Sequence, residues 1–326
     1  MINKNTTTDV KIRSAVQMID ICSSEHYCKD NKLKRVLNNI SLNVLVGECV
    51  GIAAKEDDEA KLLLEILANV RPYFSGKCIL AEKGMMQKKR VILPHLFYID
   101  TPNMLFDNMT VLEFLMFATD HSGISTVKRQ RMYLDSLIDY GLEYVVLTQI
   151  ALLSDEEKLI IELIVSSLSN SELVVFNVLA YEFSDRQVTT ISKICKDIKG
   201  NGSIVIGTNE AKLIGVCCDK VAYVLGGTIE YFGSVDSLCK SWDKVLYRIT
   251  DNQPTEVAGK LQEIYSEYSY TVAGNSILVY NHSKNRISDT EFVSKLFENG
   301  ISPNNIKINK GRVANSFEEL DKKHDL

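Results

Sequence analysis

The stretch VLNNISLNVLVGECVGIAAKEDDEAKLLLEILANVRPYFSGKCIL (residues 36–80) decides the fold class. Residues 48–54, ECVGIAA, are strand-like and almost wholly apolar, as strands covered on both faces tend to be. A helical pattern follows, in which Leu63, Ile66, Leu67 and Val70 make one face. The alternation recurs downstream. HLFYID (95–100), LVVFN (173–177), SIVIGT (203–208) and VAYVL (221–225) read as strands, and Leu159, Ile160, Leu163 and Ile164 make a second helical face. Strands alternating with helices predict an α/β layered domain with a mainly parallel sheet.

Two segments depart from that rhythm. A polar-rich helical stretch over 111–147 interrupts it and predicts a helical subdomain, about 103–155. After GGTIEYFGSVDSLCKSW the order becomes β-α-β-β-α-β: VLYRIT, a helix over 255–265, YTV and SILVY around Gly274-Asn275, a helix over 291–298, then NIKIN. The expected division is residues 1–243 for the α/β domain and 244–326 for a small α+β domain.

Composition narrows the classes. The 326 residues are 45% hydrophobic and 24% charged, enough to bury a core. Five prolines exclude a loop-rich or collagenous chain, and the 17 glycines, about 5%, fall below the usual ~7%. A formal net charge of −5 argues against nucleic acid as a partner. No apolar run reaches the ~18–20 residues a membrane helix needs, and MINKNTTTDVKIRS has no apolar core for a secretory signal. The eight cysteines form no CxxC pair and no cluster with the five histidines, so reduced thiols in a cytosolic protein are expected, with no metal.

The ordered series of segments resembles the ATP-binding cassette of ABC transporters. Within 36–80, Pro72, Gly76 and Ile79 sit in a stretch that resembles that family's P-x-x-G-x-I, at the wider spacing P-x-x-x-G-x-x-I. The resemblance continues through YIDTPNMLFDNMTVLEFLMF, ALLSDEEKLIIEL, ELVVFNVLA, SIVIGTNE and CDKVAYVLGGTIEYFGS, covering about 16–237. It implies a P-loop NTPase fold of the ABC type: a mainly parallel core, an antiparallel β region and a helical subdomain. The SFEEL motif (316–320) and the extra C-terminal unit resemble, more loosely, the exporter ATPases of bacitracin resistance and lantibiotic immunity.

The phosphate chemistry of that family is missing. A phosphate loop, G-x-x-x-x-G-K-[ST], needs bare N–H groups around the phosphates, a lysine for the terminal ones and a hydroxyl for magnesium. Aligned on Gly51, the four defining positions hold Ala54, Glu59, Ala60 and Lys61. Lys61 stands one residue late, rotated by ~100° on a helix. Glu56, Asp57, Asp58 and Glu59 put like charge where polyphosphate would lie, at about 3 kcal/mol for two charges ~5 Å apart at an effective dielectric of ~20. The plainer reading is that these carboxylates satisfy the helix's free N–H groups and dipole, filling the anion site from within.

By the same resemblance, the glutamine facing magnesium falls at Thr101, and the LSGGQ signature appears as Leu153-Ser154-Asp155-Glu156-Glu157. Ser154 and Glu157 fit an S-x-x-E capping box. The Walker B aspartate and catalytic glutamate become Asn177 and Val178, so no carboxylate polarises the attacking water. The switch histidine falls at Asn209, which does not titrate near neutral pH. Tyr27 is a candidate for the aromatic that stacks on adenine, against the plainer reading of a surface tyrosine.

The resemblance and its gaps together imply a degenerate cassette, a pseudo-ATPase acting as a structural or regulatory subunit of a membrane export complex. Its expected partners are transmembrane permease subunits, met through the Thr101 region and helical subdomain, and an active cassette ATPase. Its expected place is the cytoplasmic face of the membrane, peripherally bound, with no resident cofactor. Asp155 and Glu156 would repel a partner's γ-phosphate, which favours nucleotide-independent pairing. Two alternatives stand beside this reading: a working ATPase that uses ATP and magnesium through unorthodox ligands, and a soluble interaction protein with no membrane partner. The glycine shortage falls at the phosphate positions, while Gly47, Gly51, Gly76 and Gly233 remain, expected at turns and strand ends.

Overall fold

Along each apolar run, neighbouring side chains enter opposite hydrophobic layers, which is why the runs carry no polar face. The computed structural model describes residues 13–27, 33–81, 83–84, 95–102, 106–119, 123–169, 171–242, 245–281, 288–308 and 313–324. The Tyr27 side chain, residues 103–105 of the expected subdomain and residues 243–244 at the expected boundary lie outside the described residues.

The chain order is β1 (Ser14–Cys22), β2 (Glu25–Tyr27), β3 (Leu33–Arg35), β4 (Ile40–Leu45), β5 (Cys49–Ala54), α1 (Asp57–Leu67), β6 (Ser75–Leu80), β7 (Lys83–Gly84) and β8 (Leu96–Ile99). Helices α2 (Val111–Ala118), α3 (Thr126–Tyr140) and α4 (Asp155–Ser167) follow. Then come β9 (Leu173–Asn177), α5 (Asp185–Asn201), β10 (Ser203–Gly207), α6 (Ala211–Cys217), β11 (Lys220–Leu225) and β12 (Thr228–Ser234).

The central sheet has the order β12-β11-β5-β10-β9-β8, parallel throughout except for β12. Val174, Phe176, Ile204 and Ile206 enter one cluster with buried residues of α2 to α6; Leu173, Val175, Val205, Val50 and Ile52 enter the other, with α1. The second cluster also takes Val16, Met18, Leu42 and Val44 from an antiparallel sheet of order β4-β1-β6-β7. Gly76 sits in β6 at φ +102°, where an added Cβ would lie 2.5 Å from the Asp20 carbonyl oxygen. Only glycine satisfies both conditions.

Three expectations need correction. Helix α1 ends at Leu67, because Val70 N and Arg71 N both turn back to the Glu65 carbonyl; Val70 is exposed rather than part of the helical face. Gly51 and Gly233 lie within β5 and β12, not at turns or strand ends. Glu56, the N-cap of α1, makes no capping hydrogen bond through its side chain.

A break between Ser234 and Val235 separates a second compact unit, whose first element is α7 (Val235–Trp242). It continues as β13 (Val245–Thr250), α8 (Pro254–Ile264), β14 (Tyr268–Ala273), β15 (Ser276–Asn281), α9 (Asp289–Glu298), β16 (Asn305–Ile308) and α10 (Val313–His324). The sheet order is β14-β15-β13-β16, antiparallel at every pairing. Tyr247 stacks on Phe292 at a centroid distance of 3.9 Å inside its core. Helix α7 packs on α10, which carries the SFEEL residues Phe317 and Leu320 on its buried side.

Candidate functional site

The parallel strands β5, β8, β9, β10 and β11 end along one edge, and in open α/β sheets that carboxyl edge is where ligands bind. Five of the motif positions follow directly from those strand ends. Ala54 is the last residue of β5, Asn177 the last of β9 with Val178 next, Asn209 follows β10 by two residues, and Thr101 follows β8 by two. Backbone bonds stitch the edge together: Val178 N donates to the Gly207 carbonyl at 2.8 Å, and Thr208 N to the Ile52 carbonyl at 3.0 Å.

Asn209 is the centre of this edge. Its Oδ1 accepts from Ala54 N at 3.0 Å, and its Nδ2 donates to Asp57 Oδ1 at 2.6 Å. The carboxamide thus bridges the end of β5 and the first residue of α1. Only Lys55 and Glu56 connect the two elements, so there is no glycine-rich loop to present a ring of N–H groups. Asp57, Asp58 and Glu59 fill the first turn of α1, where carboxylates are favoured by the helix dipole. The acidic run acts through that dipole and through Asn209, not through a cap at Glu56.

The remaining positions are equally committed. Ala60 is buried against the core, while Lys61 on the next helical position is exposed. Asn177, almost fully buried, donates through Nδ2 to the Tyr98 hydroxyl at 3.4 Å. Burial pushes the Tyr98 hydroxyl up to about 12, against a smaller lowering by the Asn177 bond. Val178 is fully buried among Phe176, Phe183 and Val188 of the first cluster. Thr101 is exposed, with its hydroxyl donating to Asp100 Oδ1 at 3.1 Å.

Ser154 heads α4 in a separate network. It accepts from Glu157 N at 3.2 Å, and Glu157 Oε2 accepts from Ser154 N at 3.0 Å, closing a capping box. The other Glu157 oxygen takes the Tyr144 hydroxyl at 3.1 Å, and Arg186 lies over the Tyr144 ring at 4.5 Å. Sequence reasoning missed Tyr98, Tyr144 and the Asp57–Asn209 bond; the first two read only as ordinary aromatic residues.

At the positions where the resemblance places the phosphate and magnesium groups, other residues stand. The Ala54 N–H is taken by Asn209, the lysine and hydroxyl positions hold Ala60 and Lys61, and Asn177 and Val178 offer no carboxylate. An anion is already supplied from within, by Asp57. Among the described residues, no group of three or more His, Cys, Asp or Glu is arranged to hold a metal ion.

Comparison with known proteins places the fold. No family model matches the chain, and no curated protein matches it either. Solved structures do. The ATP-binding subunit of an ABC transporter is 16% identical with a TM-score of 0.57, over 70% of this chain and 93% of that one. CbiO1 from Clostridium perfringens, part of the ABC transporter complex cbiONQ, is 14% identical with a TM-score of 0.58, over 77% and 95%. The ATP-binding cassette MJ0796, in a post-hydrolysis dimer with ADP and phosphate, is 15% identical with a TM-score of 0.56, over 67% and 98%. The chain therefore has the fold of an ABC transporter ATP-binding cassette, followed by the α+β unit.

Proposed function

We propose that this chain is an ATP-binding-cassette subunit that neither binds nor hydrolyses ATP and serves as a structural or regulatory component of a membrane export complex. The observation that carries this reading is the Asn209 bridge from Ala54 N to Asp57, which fills with the chain's own groups the place a phosphate needs. The buried Val178 adds to it, since water activation requires a carboxylate or equivalent base within hydrogen-bond reach.

The frame is kept while the ligand chemistry is not, which suits a protein still selected to dock. Its partners are transmembrane permease subunits, met through the Thr101 region and the helices over 111–140, and an active cassette ATPase. CbiO1, of the same fold, works within a transporter complex. Asp155, Glu156 and Glu157 in the first turn of α4 disfavour a partner's γ-phosphate, so the pairing is independent of nucleotide. The α+β unit with its SFEEL helix supports an exporter of the bacitracin-resistance or lantibiotic-immunity kind. Among the described residues no helix is long and apolar enough to cross a membrane, consistent with peripheral binding at the cytoplasmic face.

Two measurements test this. A fluorescent ATP analogue with magnesium is expected to show no saturable binding; micromolar affinity abolished by changing Tyr27 or Lys61 sinks the inactive reading. Purification of the native complex in mild detergent is expected to bring membrane subunits with the chain. Recovery with soluble proteins alone sinks the transporter role.

A further inference from the structure

Four thiols converge at the end of β5 opposite the motif positions. Cys49 opens β5, Cys195 lies on the inner side of α5, and Cys217 and Cys218 close α6. The Cys49 and Cys218 sulfurs are 3.9 Å apart, and Cys49, Cys195 and Cys217 share the first hydrophobic cluster, with Cys218 packed against it. The backbone sets this up. Cys49 N donates to Asp219 Oδ2 at 2.8 Å, and Asp219 N donates to the Cys49 carbonyl at 2.8 Å. Residue 218 is therefore one step from a residue paired directly with Cys49. Three of the four cysteines are buried; Cys218 is partly exposed as a residue, with its sulfur turned toward Gly51 of β5.

We propose that Cys49 and Cys218 form an oxidisable dithiol, a modification site for hydroperoxides. Hydrogen peroxide oxidises the Cys218 thiol to a sulfenic acid and releases one water. The Cys49 sulfur then attacks the Cys218 sulfur, the S–O bond breaks, and hydroxide leaves with the Cys49 proton as a second water. Two thiols and one peroxide thus give one disulfide and two waters, with two electrons passing to the peroxide. The sulfurs close from 3.9 Å to about 2.05 Å. The bond would fasten the 209–218 segment at both ends to β5: Asn209 already holds Ala54, and Cys218 would hold Cys49.

The test uses the full folded chain, treated with hydrogen peroxide, alkylated without reductant and mapped by mass spectrometry. The expected product is about 2 Da lighter, with peptides of Cys49 and Cys218 linked and a raised Tm that reductant reverses. Cys49→Ser and Cys218→Ser each abolish the link, whereas Cys22→Ser keeps it. If a variant fails to fold, alkylation of the wild-type chain before and after peroxide reads the same pair. Cys218 found as sulfinic acid beside an alkylated Cys49, or linked to Cys217 or Cys195, overturns the proposal. So does a chain whose thiols all remain alkylatable.

Discussion

Asn209 Nδ2 donates to Asp57 Oδ1 at 2.6 Å, joining the loop after β10 to the first residue of α1. That carboxylate sits at the positive end of the helix dipole, and the Oδ1 of the same carboxamide accepts from Ala54 N at 3.0 Å. A strand-to-helix junction of this kind attracts anions from solution when its amides are bare. Here the charge and the acceptor both come from the chain, and the junction is closed by two residues, Lys55 and Glu56.

Asn209→Ala removes both bonds. The Asp57 part is solvent-exposed and small, while the buried end of β5 loses the acceptor for its Ala54 amide, at about 1–3 kcal/mol. Urea unfolding followed by circular dichroism measures it. A change below about 0.5 kcal/mol would mean the bridge contributes little to the fold.

Val178→Glu restores the residue type a hydrolytic cassette requires, at a position with no exposure inside the first hydrophobic cluster. A carboxyl group placed there has no partner, so the variant is expected to lose about 2–4 kcal/mol and to gain no ATPase activity. Its carboxyl pKa would be raised, so the loss deepens as pH rises from 4 to 7. A stable variant that hydrolyses ATP in a phosphate-release assay would contradict the structural account of this edge.

Much of this was legible in local pattern. Leu173 to Asn177 announces a doubly covered strand because both hydrophobic layers demand apolar partners, and Ser154 with Glu157 announces a cap because three residues suffice to make one. What escaped was set by distant contacts. Nothing within four residues of Asp57 foretells that its partner is Asn209, 152 positions away. Asn177 finds Tyr98 on a strand 79 positions earlier. Helix α1 stops at Leu67 because the chain reverses at Asn69, in a left-handed conformation at φ +54°, a turn that apolar periodicity through Val70 conceals.

Helix α2 begins with a capping box in which Glu113 Oε2 accepts from both Thr110 N and Thr110 Oγ1, at 2.8 and 2.9 Å. The Thr110 amide, then its hydroxyl, holds the Glu113 carboxyl below the usual glutamate range. A depressed folded pKa means the contribution is present above the unfolded value, about 4.3, and is lost as pH falls through the folded one. Glu113→Gln should therefore lower Tm at pH 7 and flatten the acid limb of a Tm-against-pH curve, with the two proteins converging at low pH. An identical acid limb in the two proteins would remove the cap from the account.

In the second unit, Tyr247 and Phe292 stack at 3.9 Å with rings 5° from parallel, and the Tyr247 hydroxyl donates to Asp289 Oδ1 at 2.9 Å. Tyr247 thus ties β13 to α9 by an apolar contact with Phe292 and a polar one with Asp289. Phe292 is fully buried, so Phe292→Ala is expected to cost about 3–5 kcal/mol, whereas Tyr247→Phe keeps the stack and loses one hydrogen bond, at about 0.5–1.5 kcal/mol. Scanning calorimetry of the full chain separates the cases if each unit melts as its own transition. Phe292→Ala should lower the transition of the unit that begins at Val235 and leave the other within a degree or so, because Phe292 packs only with residues of its own cluster among those described. Equal shifts in both transitions would mean that the two units unfold as one.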